Sequence, residues 1–277
     1  MNVKWIFVSF VFAFLVLSSC NKPKKLPTDE DAINTEQNAK GDSTVYGLAC
    51  DGTNDSVIVF LPNSGGDPIT YDIVGAMQNH RVIGKPQIGD WVGLIINPKD
   101  TTEADMVIDL DELKGTWTYP VMPTMKDERM MSQRARKRMK GPMPDSLMQT
   151  LMVPREYGFT LKREHQASPV GMIRRATTLE DDSPVKYPSV RMFSEWHIYN
   201  GKLVLTEGTG LIAKMRGNNT KIVYDTAEFV MMTPDSLVLV FNGKTLGFHR
   251  QASAKAANAA AYKAAAIKEN REEQKLK

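Results

Sequence analysis

Two Asn-Gly pairs, Asn200-Gly201 and Asn242-Gly243, constrain this chain's fold more than any other feature. Both residue types tolerate positive φ, which a two-residue hairpin turn needs if its twist is to match the strands it joins. The flanking runs agree: residues 190–199 and 202–207 bracket the first pair, 236–241 and 244–250 the second, and all are rich in β-branched and aromatic side chains. Thr233-Pro234-Asp235 makes another tight connector, after a run at 221–232. Runs at 113–117, 157–162 and 170–175 bring the number of strands to eight. Sequential strands linked by tight turns predict an up-and-down antiparallel barrel, which removes exposed edges by closure.

Upstream, residues 45–48, 57–61, 69–74, 82–83 and 91–96 read as five more short strands. Gly-, Asn-, Asp- and Pro-rich clusters at 51–55, 63–68 and 84–86 separate them. This spacing predicts a small β-domain over residues 43–110. The stretch Arg81-Val82-Ile83-Gly84 followed by Ile88-Gly89-Asp90-Trp91-Val92 resembles the turn-and-strand punctuation of OB-like and SH3-like barrels.

Gly115-Thr116-Trp117, on the first strand of the larger barrel, resembles the G-x-W of lipocalins. In that family the tryptophan plugs the closed end of the barrel and an arginine late in the last strand packs across it. Arg250 stands at the matching place. The stretch Phe193-Ser194-Glu195-Trp196-His197-Ile198-Tyr199-Asn200-Gly201-Lys202-Leu203-Val204-Leu205 is similar to the mid-barrel hairpin of lipocalin-like domains in envelope lipoproteins. The resemblance spans residues 111–250. Together the two resemblances imply a mainly β chain, an OB-like barrel followed by an eight-stranded lipocalin-like one, with Trp117 and Arg250 as a structural plug. The lipocalin resemblance also implies a non-enzymatic binder of a small apolar ligand. Trp196, Phe229, Met231 and Leu239 are the expected lining, because such a cavity needs inward apolar side chains.

Residues 122–154 interrupt the barrel between its first and second strands. Thr124 after Pro123 reads as a helix N-cap with Asp127 completing a capping box, and Gly141-Pro142 as its stop. Seven basic residues against two acidic ones give the span 126–140 a charge of +5, and Met131, Ala135 and Met139 recur at helical spacing. A second helix from Asp145 would bury Leu147, Met148, Leu151 and Met152. Capping of the barrel mouth, with methionines inward, is the expected arrangement. Docking of the basic face on anionic headgroups or a partner, and Cu(I) binding by thioethers, are the alternatives. The final 27 residues, 251–277, are rich in Ala, Lys and Glu and read as a helix with a solvated end.

The N-terminus supplies an address. Lys4 precedes an apolar run over residues 5–17, too short to span a bilayer, and Leu17-Ser18-Ser19-Cys20 ends it. The segment 1–19 therefore reads as a cleaved signal, and the tetrad resembles the lipobox of bacterial lipoproteins. That resemblance implies that Cys20 carries two or three palmitate-class acyl chains, enough for stable anchoring. Residues 20–42 are polar and charged and read as a flexible tether of about 25 Å. Basic residues directly after the cysteine favour the outer membrane, facing the periplasm. The membrane is thus the expected first partner.

Chemistry is sparse. The formal net charge of +3 implies no general attraction to nucleic acid. His80, His165, His197 and His249 show no ligand spacing, and with Cys20 lipidated, Cys50 has no disulfide partner. No nucleophile elbow, phosphate loop or dinucleotide fingerprint occurs, so neither catalysis nor a metal or cofactor is expected; Glu195 and Asp225 are candidates only in the sense that a barrel can bring carboxylates of any two strands together. A second reading from a different class is an envelope structural or interaction protein with filled barrels that binds a protein partner or peptidoglycan. The basic insertion and charged tail favour it.

Overall fold

The structure is a computed structural model and describes residues 41–138, 151–172, 183–207 and 223–263. Cys20, the expected signal segment, nearly all of the expected tether, the second expected insertion helix up to its last residues and the tail beyond residue 263 lie outside the described residues.

The N-terminal sheet contains β1 (Thr44–Ala49), β2 (Val57–Pro62), β3 (Ile69–Asp72), β4 (Val82–Ile83), β5 (Trp91–Ile96) and β6 (Ala104–Asp109), in the order β3-β2-β1-β5-β6-β4. Every pairing is antiparallel except β4 with β6. A parallel bridge between Asp72 and Glu103, with Asp72 N donating to Thr102 O at 2.9 Å, brings the β3 edge onto the approach to β6. Two details differ from expectation. The strand predicted at 69–74 ends at Asp72, whose carboxylate accepts from Val74 N, and a short helix Val74–Gln78 follows. The sixth strand, β6, is one the sequence reading lacked. It is buried at four consecutive positions from Met106 to Asp109, so it lacks the alternation that marks a half-exposed strand.

The second sheet has eight antiparallel strands: β7 (Gly115–Val121), β9 (Arg155–Leu161), β10 (Ala167–Val170), β12 (Phe193–Tyr199), β13 (Lys202–Glu207), β14 (Val223–Met232), β15 (Ser236–Phe241) and β16 (Lys244–Gln251). Their order is β10-β9-β7-β16-β15-β14-β13-β12. The two edges meet at a Gln166–Glu195 bridge, and Trp196 N donates to His165 O at 2.8 Å. The result is a nearly closed barrel. Both Asn-Gly turns form as the residues dictate, with φ of 49° and 72° at Asn200 and Gly201 and 48° and 76° at Asn242 and Gly243. The strand expected at 170–175 is instead β10. Pro169, which lacks an N–H, is tolerated on this edge strand, and Gly171 ends it at φ +105°.

The start of the insertion is not the helix expected from Thr124. Thr124–Met125 form β8, which pairs with β11 (Val185–Lys186). The Asp127 side chain instead caps a single 3-10 turn, Glu128–Met130, and a helix begins only at Gln133. Thr124 is committed to a strand pairing that no local signal announces. At the other end of the chain, Gln251 closes β16 and Ser253 caps a helix, Ala254–Ala257.

One buried cluster spans both sheets, while the N-terminal sheet also holds a second cluster of its own around Ile58, Phe60, Val92 and Leu94. The spanning cluster runs from Tyr46, Met106, Ile108, Leu110 and Leu113 into Trp117, Ile198, Leu203 and Met232. Tyr46 donates its hydroxyl to Ile198 O at 2.9 Å, and Asn200 N donates to the Asp42 carboxylate at 2.8 Å. Gly201 sits so close that a Cβ there would lie 2.8 Å from Met106 Sδ. The Asn200-Gly201 hairpin tip is therefore seated against the N-terminal sheet, which covers that end of the barrel.

Candidate functional site

The covered end is packed solid. Trp117 is fully buried and donates Nε1–H to Leu113 O at 2.7 Å. The Arg250 guanidinium lies 4.1 Å from the Trp117 ring centroid and donates to Lys114 O at 2.8 Å, with further bonds to Glu112 O and Pro234 O. Gly115 has φ +139°, and a Cβ there would collide with Arg250 Nη1. The glycine of the Gly-Thr-Trp triplet thus makes room for the arginine that covers the tryptophan.

Above this plug, at the opposite end of the barrel, a cavity of about 140 Å³ remains. Alternation along each strand builds its wall: Tyr119 follows Trp117 on the inward face of β7, Tyr157 and Phe159 share that face on β9, and Phe193, Phe241 and Phe248 come from β12, β15 and β16. The rings pack on one another. Phe248 lies 5.2 Å from Phe159 and meets Tyr119 edge-on at 5.3 Å, while Phe159 meets Phe193 edge-on at 6.0 Å. Such edge-to-face contacts hold the wall rigid without filling its centre.

A strap containing Ser189, Val190 and Arg191 crosses the rim. It is held by Tyr157, which donates its hydroxyl to Pro188 O at 2.8 Å, by Tyr187, which donates to Val153 O at 2.6 Å, and by Arg155, whose guanidinium stacks 3.5 Å over the Tyr187 ring.

Among the described lining residues, charge enters the cavity at one place. Asp225 on β14 is 4% exposed and lines the wall. Arg191 pairs with it through Nη1 and with Glu207 through Nε at 2.7 Å, and its guanidinium lies 5.3 Å from the Phe193 ring centroid. Burial raises the Asp225 carboxyl above the ordinary aspartate range; Arg191 opposes this and Glu207 adds to it. Burial also raises the Tyr119 phenol, so it stays neutral and able to donate at physiological pH.

The residues expected to line a cavity lie elsewhere. Trp196 is fully buried towards the covered end, donating Nε1–H to Lys162 O at 2.9 Å and packing against the His165 ring. Leu239 is fully buried opposite Phe229, and Phe229 packs against the same core. A bulge between Phe229 and Met231 shifts the register of β14, and Met231 is 46% exposed. None of the four is among the lining residues of this cavity. Glu195 is exposed on β12 and is not brought to Asp225. A signal for the true lining existed: the inward face set by Trp117 continues at Tyr119, and the aromatics of β9 and β16 alternate in phase with it.

Of the histidines, His249 Nε2 lies 3.2 Å from both Thr118 Oγ1 and Glu156 Oε2. His165, at φ 56°, packs its ring against Trp91 and Trp196 where the two sheets join. Among the described residues, no group of three or more His, Cys, Asp or Glu side chains could hold a metal ion, and no helix is long and apolar enough to cross a membrane. Cys50 is a free thiol. Chemically, the mouth is an aromatic cup with one buried carboxylate paired with the Arg191 guanidinium, an arrangement suited to holding a small molecule.

No protein-family model and no curated protein matches the chain. Among solved structures, a lipocalin-like protein from Bacteroides thetaiotaomicron VPI-5482 is similar at 20% identity, over 50% of this chain and 94% of that one, with a TM-score of 0.25.

Proposed function

We propose that this protein is a lipid-anchored cell-envelope protein whose eight-stranded barrel binds a small apolar ligand, without catalysing a reaction on it. The aromatic cavity at the barrel mouth carries the reading. At about 140 Å³ it is close to the volume of an engineered apolar cavity, about 150 Å³, that takes up benzene. It is smaller than the ~300 Å³ of a typical drug-sized pocket. The ligand is therefore ring-sized, or enters the cavity with one end only. The covered end, with Trp117 under Arg250, supports a lipocalin-like barrel. The order β3-β2-β1-β5-β6, with its parallel bridge from β3 to the approach to β6, supports an OB-like N-terminal domain. Acylated Cys20 would hold both near the outer membrane, facing the periplasm.

A second reading, an envelope interaction protein with filled barrels, draws on the solid lower half of the barrel and the core shared with the N-terminal sheet. Native mass spectrometry of the protein released from its own cells separates the two. A retained small molecule, lost when Phe248 is replaced by Ala, is the expected result; protein that is repeatedly free of ligand and takes up no ring-sized compound favours the second reading. In the same cells, Cys20→Ser should move the protein from the membrane fraction to the soluble one.

A further inference from the structure

We propose that the ligand of the barrel mouth is a small organic cation, an alkylammonium whose apolar body enters the aromatic cup and whose charge rests on Asp225. The inference rests on the small-ligand reading above and names the chemical class. The first observation is the seat itself. Asp225 is an almost fully buried carboxylate in a wall to which six aromatic rings contribute. Ring faces carry partial negative charge, so an aromatic wall with a buried anion attracts cations and repels anions.

The second observation is that a cation already occupies this seat. The Arg191 guanidinium reaches in from the strap, pairs with Asp225 and lies over the Phe193 ring. It is a stand-in from the chain's own sequence for the group the seat accepts. Its side chain is 48% exposed and also pairs with Glu207, so a ligand that takes Asp225 leaves it a second carboxylate partner.

The third is the balance of charge. One guanidinium faces two carboxylates, Asp225 and Glu207, so the ion-paired group carries one negative charge in excess. An alkyl carboxylate entering the cup would add to that excess, and among the described lining residues no second cation is there to balance it. An ammonium would complete the balance: Arg191 stays with Glu207, and the ligand takes Asp225. Burying an ammonium beside a buried carboxylate leaves no charge unpaired, whereas a neutral ligand leaves the existing pair in place and gains only apolar contact.

The test compares three probes on the purified full chain by titration calorimetry and by the chemical shifts of the aromatic ring protons. They are choline, its uncharged carbon isostere 3,3-dimethylbutan-1-ol, and the anion 3,3-dimethylbutanoate. Choline is expected to bind at least tenfold more tightly than the isostere, the anion most weakly. Asp225→Asn should lower choline affinity at least tenfold, to the level of the isostere. Arg191→Gln should tighten choline binding by removing the internal competitor. Equal affinity for choline and the isostere, or preference for the anion, overturns the cation while leaving a small-ligand binder in place. Failure of all three to bind or to shift a ring signal overturns both. The probe comparison uses the unaltered protein, so it decides even if a variant fails to fold.

Discussion

Asp109 shows what burial does to one side chain. It is 1% exposed, and this burial pushes its carboxyl up to about 6; the bond from Glu112 N opposes the rise, while the Asp90, Glu112 and Asp111 carboxylates add to it. Because the folded state holds the proton more tightly than the unfolded chain, this group's stabilising contribution is complete below about pH 4 and is lost as pH rises to about 6. A shift of about two units corresponds to about 3 kcal/mol. Asp109→Asn keeps an oxygen for the Glu112 N–H and removes the charge. It should raise stability by about 1–3 kcal/mol at pH 8 and flatten the dependence between pH 4 and 6, as urea unfolding at several pH values would reveal; a loss at every pH would contradict this account. Legibility also varied by residue. Trp117 and Arg250 were readable because a local triplet and a strand-end arginine mark them. The apolar character of Trp196, Phe229, Met231 and Leu239 marks them as inward candidates but does not reveal how deep in a barrel each side chain sits.

Elements joined by local turns were legible, and those paired at long range were not. The Asn-Gly hairpins and Thr233-Pro234-Asp235 act within a few residues, so their residue types suffice. The β8–β11 pair joins residues about 60 positions apart, and neither strand has a pattern of its own. A further long-range device lies beside β9. β10 pairs with β9 only as far as Gly158, and beyond it the side chain of Asn258 takes over. It donates to Glu156 O at 2.8 Å and accepts from Glu156 N at 3.0 Å, bonding one residue as a neighbouring strand would. Asn258 is 3% exposed, so the bonds are sheltered from water. Asn258→Ala should therefore cost about 1–3 kcal/mol and speed amide exchange at Glu156, measurable by denaturation and hydrogen exchange.

At the scale of the molecule, the cluster that spans both sheets should make them unfold together, although the N-terminal sheet has a second cluster of its own. Trp91 belongs to the N-terminal sheet and Trp117 and Trp196 to the barrel, yet all three meet one cluster. Tryptophan fluorescence and far-ultraviolet circular dichroism should report a single coincident urea transition, and two separated transitions would count against this coupling. Gly201→Ala should lower its midpoint sharply, because φ of 72° strains an alanine and its Cβ would press on Met106. The sequence by itself determined what acts locally: strand runs, Asn-Gly turns and the Gly-Thr-Trp triplet. Only the tertiary structure decided which inward side chains fill the barrel and which surround space. Strand stagger, the β14 bulge and the seating of the Asn200-Gly201 tip on the N-terminal sheet set those depths, and each depends on contacts between residues far apart in the chain.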